Sequence, residues 1–201
     1  MSVIFLAMRK IVNLMVCLCV SLWAFAQDVD SVKHLEFKGI PIDGSLNEFV
    51  SKLEAKGFTK TETMGTIAQL KGEFAGENVN VYVVGSEKTK TVWKVAVFFP
   101  EKSSWRSLKR DYFDYKELFT KKYGKPKNDF EFFSDPYYEG DGYELQALRL
   151  DKCSYCSFYN TREGSIMLEI DSSKCISVGY EDATNVKIKS REEEENVMDD
   201  I

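Results

Sequence analysis

The sequence is poor in the residues that catalysis uses most, because it contains a single histidine, His34. A hydrolase of the serine or cysteine type needs a histidine within reach of a nucleophile and of a third, orienting group. The G-x-S-x-G elbow, the P-loop, the dinucleotide-binding glycine pattern and H-E-x-x-H are all lacking. Among 32 acidic residues, no acid–base pair can be chosen without a cleft. We therefore predict no catalytic residue and interpret His34 as a structural histidine.

Long apolar runs are also lacking, apart from one near the amino terminus. Residues 11–23 are mainly apolar, follow the basic pair Arg9 and Lys10, and precede the small-x-small pattern Ala24-Phe25-Ala26. A spanning helix needs about 20 apolar residues, whereas a secretory signal has a shorter run between a basic region and a small-residue cleavage site. The pattern predicts a signal peptide over residues 1–26. We expect export to the periplasm, cell surface or medium, without stable membrane insertion after cleavage.

Cysteine is scarce as well. Cys17 and Cys19 lie in the apolar run, where the bulky residues before them disfavour lipid attachment. Three cysteines remain beyond this segment: Cys153, Cys156 and Cys175. An exported compartment allows oxidation, so all three are disulfide candidates. Because their number is odd, at least one stays a free thiol or pairs between chains, and the sequence leaves the pairing open.

Cys153 and Cys156 form a C-x-x-C pattern. A redox pair needs its first cysteine at a helix N-terminus, but the aromatic residues around Tyr155 favour a strand. On a strand, residues three apart point to opposite faces, and three thiolates without a fourth ligand make a poor zinc site. Plain thiols and a disulfide that uses Cys175 remain the main alternatives. We predict no metal and no cofactor.

Negative charge exceeds positive charge. The formal net charge is −5, and removal of the leader with Arg9 and Lys10 makes the chain more acidic. Nucleic acids and anionic lipids are not attracted to an acidic surface. We therefore expect no nucleic-acid partner, and a partner that is another envelope protein or a glycan.

The first half of the exported chain shows one helix among several strands. Ser45 and Glu48 form a capping box, after which apolar residues recur at helical spacing until Gly57. A short strand is predicted ahead of this helix, over residues 35–40. Three more are predicted after it, over residues 63–70, 79–83 and 92–99.

The second half repeats this order. A helix begins at Ser103 or Ser104 and ends at Gly124, with an apolar stripe that consists of Trp105, Leu108, Tyr112, Tyr115 and Phe119. Strands are predicted over residues 130–133, 145–150, 153–159, 166–170 and 175–180. The charged end, residues 187–201, is interpreted as a solvated or frayed helix. The residues able to dock its end are Val197, Met198 and Ile201.

The order of elements predicts an α+β fold of tandem helix-plus-three-strand units. Each helix has one apolar stripe, so the simplest arrangement packs both helices on one face of an antiparallel sheet. The predicted organisation has four parts. These are a signal peptide (1–26), a first helix-plus-sheet half (27–100), a second half (101–186) and a charged C-terminal segment (187–201).

One loop, residues 135–144, combines carboxylates and glycines with three tyrosines. Exposed tyrosines are large, rigid and able to hydrogen-bond, so Tyr137, Tyr138 and Tyr143, with Asp141, are candidate contact residues for a protein or a glycan. Calcium is an alternative, although the loop lacks the ligand spacing of an EF-hand. The third interpretation is a long turn whose tyrosines cover the core.

Short segments of the two units resemble known families. Gly44-Ser45-Leu46, Gly57-Phe58 and the helix exit Tyr123-Gly124-Lys125-Pro126 resemble modules of outer-membrane-assembly lipoproteins of the SmpA/OmlA type. The doubled unit is similar to the plan of the β-lactamase inhibitor protein. Residues 37–44, 139–144 and 180–182 are similar to uncharacterised exported proteins of Bacteroidetes type. The first two families bind other proteins, and the resemblance implies the same role here; the chain differs from the lipoproteins because it lacks a suitable lipid-attachment cysteine.

Three functions are compatible with these features. The first is a non-catalytic binding or interaction module of the cell envelope. The second is an enzyme that acts outside the cytoplasm, either thiol-dependent or carboxylate-based, which rests only on the C-x-x-C and the spare carboxylates. The third is a structural or inhibitory protein without a small ligand, which a sheet face rich in exposed aromatic side chains would favour.

Overall fold

The computed structural model of the protein describes residues 33–199 and 201. The predicted signal peptide, with Cys17 and Cys19, lies outside the described residues. No helix within the described part is long and apolar enough to cross a membrane.

The first half begins with a two-stranded hairpin where the sequence predicted one strand. Strands β1 (Glu36–Phe37) and β2 (Ile40–Pro41) are joined by Lys38 and Gly39, which both adopt positive φ angles, 54° and 73°. Two consecutive residues of this kind make the tight turn that suits a hairpin. The prediction of one strand over residues 35–40 was therefore wrong.

Helix α1 (Leu46–Glu54) follows as predicted, with both hydrogen bonds of the capping box present between Ser45 and Glu48. A meander of four strands comes next: β3 (Thr59–Met64), β4 (Ile67–Phe74), β5 (Glu77–Gly85) and β6 (Val92–Phe98). The strands predicted at residues 79–83 and 92–99 are confirmed. The strand predicted at residues 63–70 is instead a hairpin, because the chain reverses at Gly65, whose φ is 58°.

The second half again places a helix before four strands. Helix α2 (Trp105–Tyr123) begins at the N-cap Ser104 and ends at Gly124, as predicted. The remaining elements are β7 (Asn128–Phe133), α3 (Glu144–Arg149), β8 (Cys153–Asn160), β9 (Gly164–Asp171), β10 (Cys175–Asp182) and α4 (Ala183–Asp199). Residues 145–150 were wrongly predicted as a strand. They lie mostly in α3, which buries Ala147 and Leu148 on one side of a short helix.

Eight strands form one antiparallel sheet in the order β3-β4-β5-β6-β10-β9-β8-β7. The two meanders meet where their last strands pair, with Val97 opposite Val178 and Val95 opposite Tyr180. The α+β class with an antiparallel sheet is confirmed. Each half contributes four strands to this sheet, whereas the predicted units had three strands each, with a possible fourth in the second half.

The sheet buries one face beneath the helices. Along β5 and β9, every second residue is buried, among them Val81 and Leu168, and these residues share a face through the strand register. Helix α1 buries Leu46, Phe49, Val50 and Leu53, and α2 buries Trp105, Leu108, Tyr112 and Phe119. Tyr112 shares a hydrogen bond of 2.6 Å with Ser157 of β8, which fixes α2 on this face.

Helix α4 is less solvated than its composition predicts. Glu192 is buried and its carboxylate accepts hydrogen bonds from the loop between β5 and β6, including the Lys88 N–H at 2.8 Å and the Thr89 hydroxyl at 2.7 Å. The rest of the charged run is exposed, and the helical assignment is confirmed. Val197, Met198 and Ile201 do not dock, since each is more than half exposed.

Candidate functional site

The loop between β7 and α3 has a backbone fixed by its own carboxylates. Asp141 accepts hydrogen bonds from the N–H groups of Tyr138 (3.1 Å) and Tyr143 (2.7 Å), and Glu144 accepts one from Gly140 (2.9 Å). Gly140 and Gly142 have φ angles of 90° and 81°, which side chains larger than hydrogen rarely tolerate. These residues recur in such turns because they let a short loop satisfy its own N–H groups.

Asp141 therefore has a structural role in the loop. Both of its carboxylate oxygens accept backbone N–H groups, the pattern of an Asx turn, so it supports the conformation that displays the tyrosines. Within residues 33–199 and 201, no group of three or more His, Cys, Asp and Glu side chains is arranged to hold a metal ion.

The three tyrosines of the loop fall into two classes. Tyr137 packs against the core and its hydroxyl accepts a hydrogen bond of 3.0 Å from Gln146. Tyr138 and Tyr143 are 65% and 60% exposed. An exposed aromatic ring on a fixed backbone loses little conformational freedom when a partner covers it. Tyr138 and Tyr143 are thus the contact residues that the loop offers.

Helix α2 supplies a second wall beside the loop. A groove of about 570 Å³ lies between the N-terminal half of α2 and the loop, with Trp105, Lys109 and Phe113 on one side and Glu139 and Glu144 on the other. Lys109 forms an ion pair with Glu139, which ties the helix to the loop. The Lys109 ammonium also lies 5.9 Å from the ring centre of Phe113.

Aromatic packing keeps the floor of this groove rigid. Trp105 meets Phe133 and Tyr155 edge to face, with ring centroids 5.3 and 5.0 Å apart. Burial, followed by the negative charge of Glu139, raises the pKa of Tyr155 well above its usual value, so its hydroxyl stays protonated and donates to Glu139 at 3.4 Å. We define the tyrosine surface as Tyr138, Tyr143, Phe113, Lys109 and Glu139.

Sequence reasoning identified the loop but missed its neighbours on α2. The signal for Phe113 was present, because this residue falls outside the apolar stripe of α2 and is therefore an aromatic side chain on the solvent side of a helix. Phe113 is 38% exposed. Lys109 and Glu139 carried no such signal, since their pairing depends on how the loop folds back over the helix.

The three cysteines of the described residues are free. Cys153 and Cys156 lie on β8, whereas Cys175 lies on β10, and β9 separates these strands. Neighbouring strands are about 4.8 Å apart, so two strand spacings exceed the Cα separation that a disulfide allows. Cys153 and Cys156 point to opposite faces of β8. The predicted disulfide candidates therefore do not pair with one another in this fold.

The thiols are also held in their protonated form. Burial, with smaller contributions from Glu139 and Glu144, raises the pKa of Cys153 to about 12. Burial is the main cause that raises the pKa of Cys156 and Cys175 as well, although a hydrogen bond from Ser173 opposes it at Cys175. A nucleophilic cysteine needs the opposite shift, towards the thiolate.

His34 lies beside two carboxylates. Its Nδ1 lies 3.1 Å from Asp182 Oδ1 and its Nε2 lies 3.6 Å from Asp43 Oδ2. Asp182 is fully buried, accepts the Leu35 N–H at 2.8 Å and accepts two N–H groups in the first turn of α4. The cluster connects the start of the described chain to the last helix.

Comparison with known proteins gives no match, whether with family models, with curated proteins or with solved structures.

Proposed function

We propose that the chain is an exported, non-catalytic binding module of the cell envelope that holds a protein partner on its tyrosine surface. One observation carries the proposal: Tyr138 and Tyr143 are more than half exposed on a loop whose backbone is already fixed by Asp141 and Glu144. Interfaces derive most of their binding energy from a few such anchors, and tyrosine is among the most frequent.

The groove between the loop and α2 supports a protein partner. Phe113 adds apolar area, and the Lys109–Glu139 pair supplies charges of both signs at the edge of the groove. An aromatic centre with a polar rim is the composition of protein interfaces. The groove itself is shallow and lined mainly by charged side chains around Trp105 and Phe113. Such a lining also suits a glycan, so glycan binding is the outcome that a test must separate from protein binding.

The thiol chemistry supports a role without catalysis. A thiol-dependent enzyme would need a lowered pKa at one cysteine, whereas burial raises the pKa of all three described thiols. The single histidine contacts two carboxylates and has the geometry of a structural residue. These contacts favour a binding module over a thiol-dependent enzyme.

A second candidate function, an inhibitory or structural protein, is favoured by aromatic side chains on the face of the sheet opposite its buried residues. Residues that alternate with the buried ones place an edge-to-face pair in each half, Tyr82 with Phe98 (5.5 Å) and Phe130 with Phe158 (6.3 Å). A groove of about 550 Å³ runs beside the first pair. A tandem α+β chain that offers an aromatic sheet face resembles the plan of the β-lactamase inhibitor protein.

Capture of partners from the native envelope fraction tests both candidates with matched variants. The first variant is Tyr138→Ala with Tyr143→Ala, and the second is Tyr82→Ala with Phe98→Ala. A protein that binds saturably to the wild type and the second variant but not to the first supports the tyrosine surface. Retention by the first variant and loss by the second would assign binding to the sheet face. If the wild type binds only isolated glycans and the first variant does not, the partner of the tyrosine surface is a glycan and not a protein.

A further inference from the structure

A pocket lies at the seam between the two halves, away from the tyrosine surface. Its volume is about 250 Å³, and it opens between the β1–β2 turn, the β4–β5 turn and the last turns of α2. The first half contributes Phe37, Lys38 and Phe74, and the second contributes Phe119, Lys122 and Tyr180. Ligand pockets form preferentially at such junctions, where few polar groups converge on an apolar cavity.

The walls of the pocket are aromatic and fixed. Phe37 stacks on Phe74 at 5.4 Å and meets Tyr180 at 5.5 Å, while Phe119 packs against Tyr180 at 6.5 Å. Phe37 and Tyr180 are almost completely buried, so their rings belong to the core as well as to the pocket. A ligand that enters would meet the partly buried rings of Phe74 and Tyr115, which Phe37 and Tyr180 support from behind. Because these rings are already packed, the ordering cost of binding stays low.

The rim of the pocket carries two ammonium groups. Lys38 is held in the β1–β2 turn, and Lys122 lies in the last turn of α2 with its Nζ 4.9 Å from the ring centre of Tyr123. Neither forms an ion pair with a carboxylate of residues 33–199 or 201, although the other three lysines of α2 do. Glu36 is also at the rim, so the mouth has two positive charges against one negative charge.

The phenol groups inside remain hydrogen-bond donors. Burial is the main cause that raises the pKa of Tyr115 to about 12 and that of Tyr180 well above its usual value. Both hydroxyls are therefore protonated at neutral pH and cannot repel a negative ligand. The positive charge is confined to the two lysines at the mouth, since Glu77, Asp111 and Asp114 act on Tyr115 and raise its pKa further.

We propose that this seam pocket binds a small amphipathic carboxylate, with its apolar body against Phe74, Tyr115 and Leu118 and its carboxylate at Lys38 and Lys122. The volume is below the roughly 300 Å³ at which drug-sized pockets begin, so an aryl-alkanoic acid or a short fatty acid fits and a nucleotide does not. The inference is independent of the tyrosine surface, which lies on other residues.

Calorimetric titration with phenylbutyrate tests the proposal, with phenylbutylamine and phenylbutanol as probes that share the body and change the head group. We expect saturable one-to-one binding of the acid, weaker binding of the alcohol and none of the amine. In the variant Lys38→Gln with Lys122→Gln, affinity for the acid should fall by more than about tenfold, because the charge-assisted contacts of both lysines are lost. The control is Lys121→Gln, which changes an exposed lysine of the same helix that is paired with Glu117.

Aromatic NMR shifts identify where the probe sits. Shifts at Phe37 and Tyr180 in the wild type support binding in the seam pocket. If the same shifts appear in Lys121→Gln, the loss of a lysine outside the pocket does not disturb binding. Absence of saturable binding, equal affinity for the acid and the amine, or shifts confined to Phe113 and Tyr143 would each overturn the proposal. If only the alcohol binds tightly, the pocket takes an uncharged apolar group, such as the side chain of a partner protein, and the carboxylate assignment fails.

Discussion

At the scale of single residues, one series of hydrogen bonds starts at a buried tyrosine of α2 and ends at the edge of the sheet. The Tyr112 hydroxyl donates to Ser157 at 2.6 Å, and Ser157 donates to Asp129 at 2.8 Å. Asp129 in turn pairs with Lys116, one helical turn after Tyr112. The chain connects the middle of α2 to β8 and to the edge strand β7, so one phenol hydroxyl positions three elements.

Removal of that hydroxyl should cost measurable stability. We expect Tyr112→Phe to lower the free energy of unfolding by about 1 kcal/mol, because one buried hydrogen bond is lost while the ring stays packed. Urea denaturation measures the change. Tyr138→Phe is the matched control and should change stability little, since Tyr138 is exposed and no described residue bonds to its hydroxyl. Equal losses of stability in Tyr112→Phe and Tyr138→Phe would contradict a stabilising role of the hydrogen bonds that start at Tyr112.

The thiols give a second prediction at this scale. Because burial raises the pKa of Cys153, Cys156 and Cys175, the thiolate fraction at neutral pH is small and alkylation by iodoacetamide should be slow. Mass spectrometry after timed quenching measures the rate at each cysteine. The same chain in denaturant should react at the ordinary rate of a free thiol. Fast modification of any one cysteine in the native protein would instead favour the hypothesis of a thiol-dependent enzyme.

At the scale of elements, helix α2 derives its stability from the stripe that it buries. Leu108 is fully buried against the sheet, whereas Leu118, which flanks the buried stripe of the same helix, is 54% exposed. We expect Leu108→Ala to destabilise the protein by about 2–5 kcal/mol, as cavity-forming changes do. Leu118→Ala should cost less than about 0.5 kcal/mol. A loss below that value at Leu108 would mean that the stripe does not pack as the structure shows.

Helix α4 is held by one carboxylate in the loop between β5 and β6. Burial alone would raise the pKa of Glu192, but the hydrogen bonds from Lys88, Thr89 and Ser86 outweigh it and lower the pKa from 4.5 to about 2. A depressed folded-state pKa contributes stability above pH 4.5 that is lost as the pH falls towards 2. The hydrogen bonds that Glu192 accepts from this loop should therefore weaken only in strong acid.

The variant Glu192→Gln tests this contact between α4 and the β5–β6 loop. At neutral pH we expect a loss of about 1–3 kcal/mol, because a charged acceptor is replaced by a neutral one. The difference from the wild type should shrink as the pH falls from about 4.5 towards about 2. Glu193→Gln is the control, since Glu193 is exposed and pairs only with Lys189. A pH-independent difference would show that Glu192 acts through packing.

Elements with a local signal were predictable, and those set by distant contacts were not. The capping box at Ser45 and the apolar stripe of α2 each depend on residues of a single helix. Both helices could therefore be predicted from the sequence. The edge strand β3 is polar and exposed along its whole length, so no alternation marked it, and the turn at Gly65 went unrecognised. The loop tyrosines were found from composition, but the exposure of Tyr138 and Tyr143 and the burial of Tyr137 depend on tertiary packing.

At the scale of the whole molecule, the two halves share one core. Strands β6 and β10 pair from Phe98 opposite Ser177 to Lys94 opposite Glu181, and the buried face continues across this pair without a break. Separation of the halves would expose Val97 and Val178 and would leave the backbone groups of both strands without partners. Separation of β6 from β10 would therefore cost a large part of the stability of the protein.

We expect the halves to unfold together. Native-state hydrogen exchange of the amides of Val81 in β5 and Leu168 in β9 should report the same free energy of opening within about 1 kcal/mol, because both require global unfolding. Thr63, in the exposed edge strand β3, provides the internal control and should exchange through local opening at a much lower free energy. If Val81 and Leu168 differed by several kcal/mol, one half would open while the other stays folded. The seam pocket would then be a mobile junction, and its aromatic walls could not be the fixed surface that the ligand proposal requires.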